Sequence, residues 1–297
     1  MTQASTPPAS GNSAEADAGT DAKAAAGGSR PAMPARVRKA NAIGGRHHFL
    51  LRRLHSLSGI IPVGVFVMFH LFTNAQLALG TFQHEVEWIH AMPALFIMEL
   101  VIWLSIAFHA VLGLAYTFTG SRWNTHNYEG NWRYMLQRVS GILALIFIFL
   151  HIATLRWRWD LGGWFTPFFV EVENPDGSIT PLATATTANA LQYAWWVVAI
   201  YVVGVLAVVY HWANGLWTAA ITWGLTISEQ AQKRWGYICA AVGLTLTLFF
   251  GMALGGALAY DVTEAEAAAI ERAAQQYEEG AIPLPGTQEI EREGSPG

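Results

Sequence analysis

Four histidines, His70, His109, His151 and His211, each fall about two thirds of the way along a separate long apolar stretch of the chain. An imidazole carried into hydrocarbon costs free energy unless its polar atoms are met, so ionisable residues in such stretches mark function by default. A single one could do no more than hydrogen-bond a neighbouring helix. Four at matched positions point to axial ligation, in which two neutral imidazoles from different helices hold the two faces of a haem iron and the helices leave room for the flat macrocycle. Copper or zinc on the same residues is the competing chemistry, weakened because no Cys or carboxylate lies nearby at either level.

The elements that must position these residues follow from hydropathy. Runs near 54–78, 94–118, 135–155, 191–221 and 237–260 are each long enough, at about 1.5 Å per residue, to cross a hydrocarbon core of about 30 Å. A composition of 53% hydrophobic and 13% charged residues is foreign to a soluble domain of this length, and 13 Trp and 9 Tyr suit interfacial belts. The expected fold is an all-α integral membrane protein of five transmembrane helices, the first four forming a haem-binding bundle within residues 41–260. Residues 1–40, rich in Ala, Ser, Gly and Pro, read as a disordered tail with no hydrophobic region for a signal peptide. Residues 261–297 form an acidic tail with room for one short helix near 262–279 before Pro283 and Pro285.

Lys and Arg set the orientation. Arg36, Arg38, Lys39, Arg46, Arg52 and Arg53 precede the first span, Arg122 and Arg133 separate the second from the third, and Lys233 and Arg234 precede the fifth. These regions are expected inside, with the N-terminus, whereas loops 79–93 and 156–190 carry only Arg156 and Arg158 and face outside, with the C-terminus. Spans one and three then run outward and two and four inward. A histidine late in every span puts His70 and His151 near the outer surface and His109 and His211 near the inner one, two levels about 12–18 Å apart. Gly113 and Gly215, each four residues after a histidine, are expected to relieve crowding on that histidine's own face, with similar relief from Gly59, Gly64 and Gly141.

These residues also carry a resemblance. The run from Arg52 to Gly64, RRLHSLSGIIPVG, followed by His70, resembles the first helix of the single-chain diheme cytochrome b subunit of succinate:quinone oxidoreductases, the succinate dehydrogenases and fumarate reductases. Glu99 with Phe108-His109-Ala110-Val111 resembles the second helix. Leu136 to Ile142 with His151 resembles the third, and His211 to Trp217 the fourth. The likeness covers about residues 47–260 and neither tail. It implies a five-helix anchor in the cytoplasmic membrane for a flavoprotein subunit carrying FAD and an iron-sulfur subunit. Electrons would pass from succinate through two b haems to a membrane quinone, usually menaquinone. His109 and His211 would hold the haem proximal to the partners, and His70 and His151 the distal haem, the pairing that topology gives independently. Some relatives carry a further acid just before the fourth-helix histidine. Val209 and Tyr210 stand there in this chain, which puts a transmembrane proton path through that position in doubt.

Glu99, one or two turns inside the outer end of span two, is the candidate for quinone protonation; a carboxylate bonded to a neighbouring helix or behind a haem ligand is the alternative. His84, Glu85, Glu87 and His90 in the outer loop offer a proton relay, against plain solvated charge. Arg53, Arg138, Ser56 and Ser140 on the inner side, and Arg156 or Arg158 outside, are candidate propionate partners that could equally be interfacial anchors. His47, His48 and His126 fall outside the spans, and His55 sits at the inner end of span one near the proximal level. The single Cys239 excludes an internal disulfide and a four-cysteine cluster within this chain. No GxGxxG, P-loop or nucleophile elbow is present, which removes dinucleotide binding and hydrolysis. A haem-free anchor and a metal or haem transporter remain the alternatives.

Overall fold

The protein is described from a computed structural model over residues 47–119, 131–155, 157, 159, 170–173 and 179–278. Five helices are long and apolar enough to cross a membrane: Phe49–Leu79, Leu95–Thr119, Trp132–Leu155, Trp195–Thr222 and Glu229–Ala259. They match the five expected runs in number and order. The fifth begins eight residues before the expected 237, because the polar run EQAQKRW is helical although its hydropathy is low. Ser228 starts it as an N-cap, its hydroxyl accepting from the Ala231 amide at 3.2 Å, with Glu229 in the first turn.

Span one is composite. Helix α1 (His48–Ser58) passes through a π-turn at Gly59–Val63 into α2 (Gly64–Ala75), and a 3₁₀ turn (Gln76–Leu79) ends at Gly80, whose φ of 74° is left-handed. Pro62 lies inside the π-turn, and because it has no N–H to give, the ladder there must shift register. The remaining elements are α3 (Phe82–His90), α4 (Leu95–Thr119) and α5 (Asn131–Leu155), a two-strand antiparallel hairpin of β1 (Glu171–Glu173) and β2 (Ile179–Pro181), then α6 (Ala183–Gln192), α7 (Trp195–Thr222), α8 (Glu229–Ala259) and α9 (Glu264–Glu278). Helix α3, the hairpin and α6 occupy stretches expected as plain loops, a difference produced by tertiary packing at one end of the bundle. There Leu77, Phe82, Val86, Ala183, Leu191, Val197, Ala253 and Ala257 share one buried cluster. Gln192 fastens this cap by donating to the Ala257 and Tyr260 carbonyls, both at 2.8 Å, which closes the end of α8.

Helix α7 is central. Gly141 faces His211, Phe147 faces Gly204 and His151 faces Tyr201, a register in which α5 and α7 run antiparallel. Leu71, Phe147, Val205, Val209, Trp212, Leu246 and Phe250 join α2, α5, α7 and α8 in the main core. Of the five spans, α4 is the one that buries none of its residues, and Phe96, at 73% exposure, and Val111, at 67%, face outward as lipid-facing side chains do.

Among the described residues glycine admits backbone contact at one place, where a Cβ on Gly256 would strike the Leu77–Ala78 backbone, whereas one on Gly251 would meet nothing within 4 Å. Gly256→Ala should therefore lower the thermal midpoint in detergent, at a cost of about 1–3 kcal/mol, while Gly251→Ala leaves it unchanged or slightly raised; equal midpoints would contradict this packing. A capping box starts α9: Glu266 accepts from the Thr263 amide at 2.9 Å and its hydroxyl at 2.8 Å, and from the Tyr260 hydroxyl at 2.9 Å. Burial pushes the Glu266 carboxyl up, but these donors outweigh it and hold the group below the ordinary carboxylate value. Its contribution is full above the unfolded pKa of about 4.3 and lost as pH falls through the lower folded value. Proteolytic protection of α9 should accordingly weaken below pH of about 4.3 in the native chain, and Glu266→Gln should flatten that dependence.

Candidate functional site

The four span histidines meet in two pairs. His70 from α2 and His151 from α5 lie with ring centroids 5.8 Å apart and planes at 76°. His109 from α4 and His211 from α7 lie 6.0 Å apart at 87°. Two metal–nitrogen bonds of about 2 Å each, plus the half-widths of two imidazoles, give a centre-to-centre separation of about 6 Å. Both pairs therefore stand at the spacing of two imidazoles on opposite faces of one metal. Among the described residues no group of three or more His, Cys, Asp or Glu converges, so neither pair has the donor set of a tetrahedral zinc site.

Hydrogen bonding to main-chain carbonyls fixes which nitrogen the His109 and His211 rings offer. His109 Nδ1 lies 2.8 Å from the His55 carbonyl and His211 Nδ1 3.0 Å from the Gln137 carbonyl. His151 Nδ1 is 3.1 Å from the Tyr201 hydroxyl, and His70 Nδ1 is 3.5 Å from the Asn74 amide, which itself donates to the His70 carbonyl at 2.7 Å. Among the described residues no hydrogen bond engages Nε2 of any of the four. A ring that donates from Nδ1 presents a lone pair at Nε2, the arrangement usual behind metal-ligating histidines.

Space around the rings comes from facing helices. A Cβ on Gly59 would collide with the His109 ring, and one on Gly141 would come within 2.7 Å of His211. The expected roles of Gly113 and Gly215 are corrected by this geometry. Gly113 faces His55 and Gly215 faces the Gln137 side chain, because α-helical residues four apart lie along one face without lying beneath the same ring. Gly64 admits Trp212, and Gly204 admits Phe147, which stacks on His151 at 5.7 Å. These cradles and the free Nε2 atoms fit a planar group held between each pair.

Gln137 is the hub of the second level and carried no assigned role in the sequence. Its side-chain nitrogen donates to the His211 carbonyl at 3.0 Å while its oxygen accepts from Asn214 at 2.7 Å. A Gln and an Asn on two apolar helices were the available signal, since such amides in a membrane bond across helices. His55 stacks on His109 at 4.0 Å with planes only 13° apart, so it lies against the imidazole itself. Ser140 is buried with its hydroxyl 3.5 Å from His211 Nδ1, and Ser56 is half-buried on α1. The Arg53 guanidinium lies over Phe49 at 4.3 Å and Trp223 at 5.1 Å, and Arg138 lies over Tyr134 at 4.2 Å and donates to the Tyr116 carbonyl at 3.4 Å.

Glu99 is half-buried in the first turns of α4. His84, Glu85, Glu87 and His90 lie on α3, where Gln83 donates to Glu87 at 2.9 Å. His47 is the exposed residue before α1 and His48 is the helix's first residue. Cys239 is a buried free thiol. Arg122, His126, Arg156 and Arg158 lie outside the described residues, as do residues 1–46 and 279–297.

The chain is similar to the succinate dehydrogenase cytochrome b558 subunit of Bacillus subtilis (strain 168), with 31% identity over 207 residues, 68% of this chain and 94% of that subunit. No family model matches the chain, and no solved structure does.

Proposed function

We propose that this chain, which belongs to the family of succinate dehydrogenase cytochrome b subunits, is a diheme anchor that carries electrons from a soluble succinate-oxidising unit to a membrane quinone. Membership makes it a multi-pass membrane subunit of an enzyme complex, a cytochrome of the b type. The finer reading rests on one observation, the meeting of four imidazoles in two pairs, three of them with Nδ1 beside a carbonyl or hydroxyl oxygen. In that reading His109 and His211 hold the haem proximal to the soluble partners, and His70 and His151 hold the distal one. Haem b, when bound, supplies a one-electron store at each level.

The chain's own residues do the rest. The His55 and Gln137 carbonyls hold the inner pair of rings in the tautomer that leaves Nε2 free, and Gly59 and Gly141 let the helices close around them. Arg53 and Arg138, with Ser56, offer cationic and hydroxyl groups for propionates at the arginine-bearing end, and Ser140 sits nearer the ring of His211. Arg156 or Arg158 would do the same at the opposite end. That orientation places the N-terminus inside a cytoplasmic membrane and the C-terminus outside.

The partners are a flavoprotein and an iron-sulfur protein. Succinate loses two electrons and two protons at the flavoprotein, giving fumarate. The electrons cross one at a time and a quinone, in our reading menaquinone, takes both with two protons to become quinol. Glu99, expected near the level of His70 and His151, would hand on a proton, a task that suits a carboxylate in an apolar span.

Replacing His109 or His211 by Ala should halve haem b per chain and weaken assembly with the soluble partners; retention of both haems would remove these residues from the ligand set. Glu99→Gln should keep full haem content while quinone reduction falls on the order of a hundredfold, and an unchanged succinate-to-quinone rate would end its proton role.

A further inference from the structure

We infer that Tyr201 is a positioning residue which, by accepting a hydrogen bond from His151, sets the donor strength of that imidazole and so the redox balance of the distal level. This rests on the ligand reading proposed above and goes beyond it by assigning a residue that touches neither iron nor quinone.

The four imidazoles are not supported alike. His109 and His211 have main-chain carbonyls at Nδ1, at 2.8 and 3.0 Å, which no side-chain substitution can remove. His70 has a long 3.5 Å approach from Asn74, whose nitrogen is committed to the His70 carbonyl. His151 alone among these four has a side-chain hydroxyl as its nearest Nδ1 partner, 3.1 Å away on α7, whereas the Ser140 hydroxyl stands 3.5 Å from His211 Nδ1, farther than the Gln137 carbonyl. On the ligand reading Nε2 is the metal-binding atom, so the ring proton is on Nδ1, Nδ1–H donates and the tyrosine oxygen accepts.

The surroundings hold that contact in place. Phe147 stacks on the His151 ring at 5.7 Å and meets Tyr201 edge-on at 5.3 Å. The phenylalanine has its place because Gly204, three residues after Tyr201 on the same helix, carries no Cβ to displace it. His70 closes the other side of His151 at 5.8 Å. A clamp built from two helices thus fixes the hydroxyl, the ring and the direction of Nε2 together.

An acceptor on Nδ1–H raises the basicity of Nε2, and a more basic ligand favours the oxidised metal. Removing it should therefore shift the distal centre toward reduction. At a fixed ambient potential Tyr201→Phe should raise the reduced-to-oxidised ratio of the distal haem by about fivefold, the worth of one neutral hydrogen bond, which is about 40 mV at 59 mV per decade. The proximal haem should titrate as before.

The experiment is a spectroelectrochemical titration of the assembled native complex and of Tyr201→Phe, with haem content measured on both samples and Phe147→Leu as a packing control that keeps the hydroxyl. A raised distal midpoint in Tyr201→Phe at full haem content, with a smaller effect in Phe147→Leu, supports the assignment. An unchanged or lowered distal midpoint at full haem content overturns it and leaves the ligand reading intact. Absence of a distal haem in the native complex overturns both. Should Tyr201→Phe fail to assemble, redox-difference infrared spectra of the native complex with ring-labelled tyrosine decide: a tyrosine C–O band that moves with the distal titration supports the bond, and a silent one refutes it.

Discussion

Each imidazole in hydrocarbon brings one N–H and one lone pair that must both be met, and water is not there to meet them. The bundle is organised around half of that requirement. At three of the four rings a carbonyl or hydroxyl oxygen lies within hydrogen-bond distance of Nδ1, drawn from the helix beside the ring: His55 on α1, Gln137 on α5 and Tyr201 on α7. The other half, the Nε2 lone pair, meets no hydrogen-bond donor among the described residues, and on the proposed reading it is what a bound metal would take. Meeting it requires two helices to bring their histidines to one level and to approach closely, which is why glycines sit opposite His109 and His211.

The same constraint explains the uneven packing. Helices α5, α7 and α8 form a conventional interior with α2, filled by Phe147, Trp212, Leu246 and Phe250. Helix α4 carries His109 yet buries none of its residues, and its side of the bundle is bound chiefly through α1 and the π-turn. On the proposed reading, a group held by His109 and His211 joins α4 to α7. Such a ligand, binding only the folded chain, would add directly to stability.

Much of this was legible in the chain. Five apolar runs gave five spans, and the histidines' positions within alternating spans sorted them into the two pairs whose rings meet. The capping box at Thr263–Glu266 bounds the one helix expected in the acidic tail. What could not be read needed the register between helices. That Gly59, not Gly113, relieves His109, and that Tyr201 and Gln137 stand behind His151 and His211, depends on which residues face one another across α5 and α7. No spacing within a single helix contains that information. Helices α3 and α6 escaped notice for a related reason: their apolar residues, such as Phe82, Val86, Ala183 and Leu191, are too few to stand out until the end of α8 packs against them.

Whether the two histidine pairs are two haem sites is answered most directly by the amount of haem b per chain, from a pyridine haemochrome assay on the purified, assembled complex. Two per chain is the expected value. Zero in a correctly assembled preparation would contradict the account and leave the four imidazoles as helix-packing groups, and one would break the equivalence of the two pairs on which it is built.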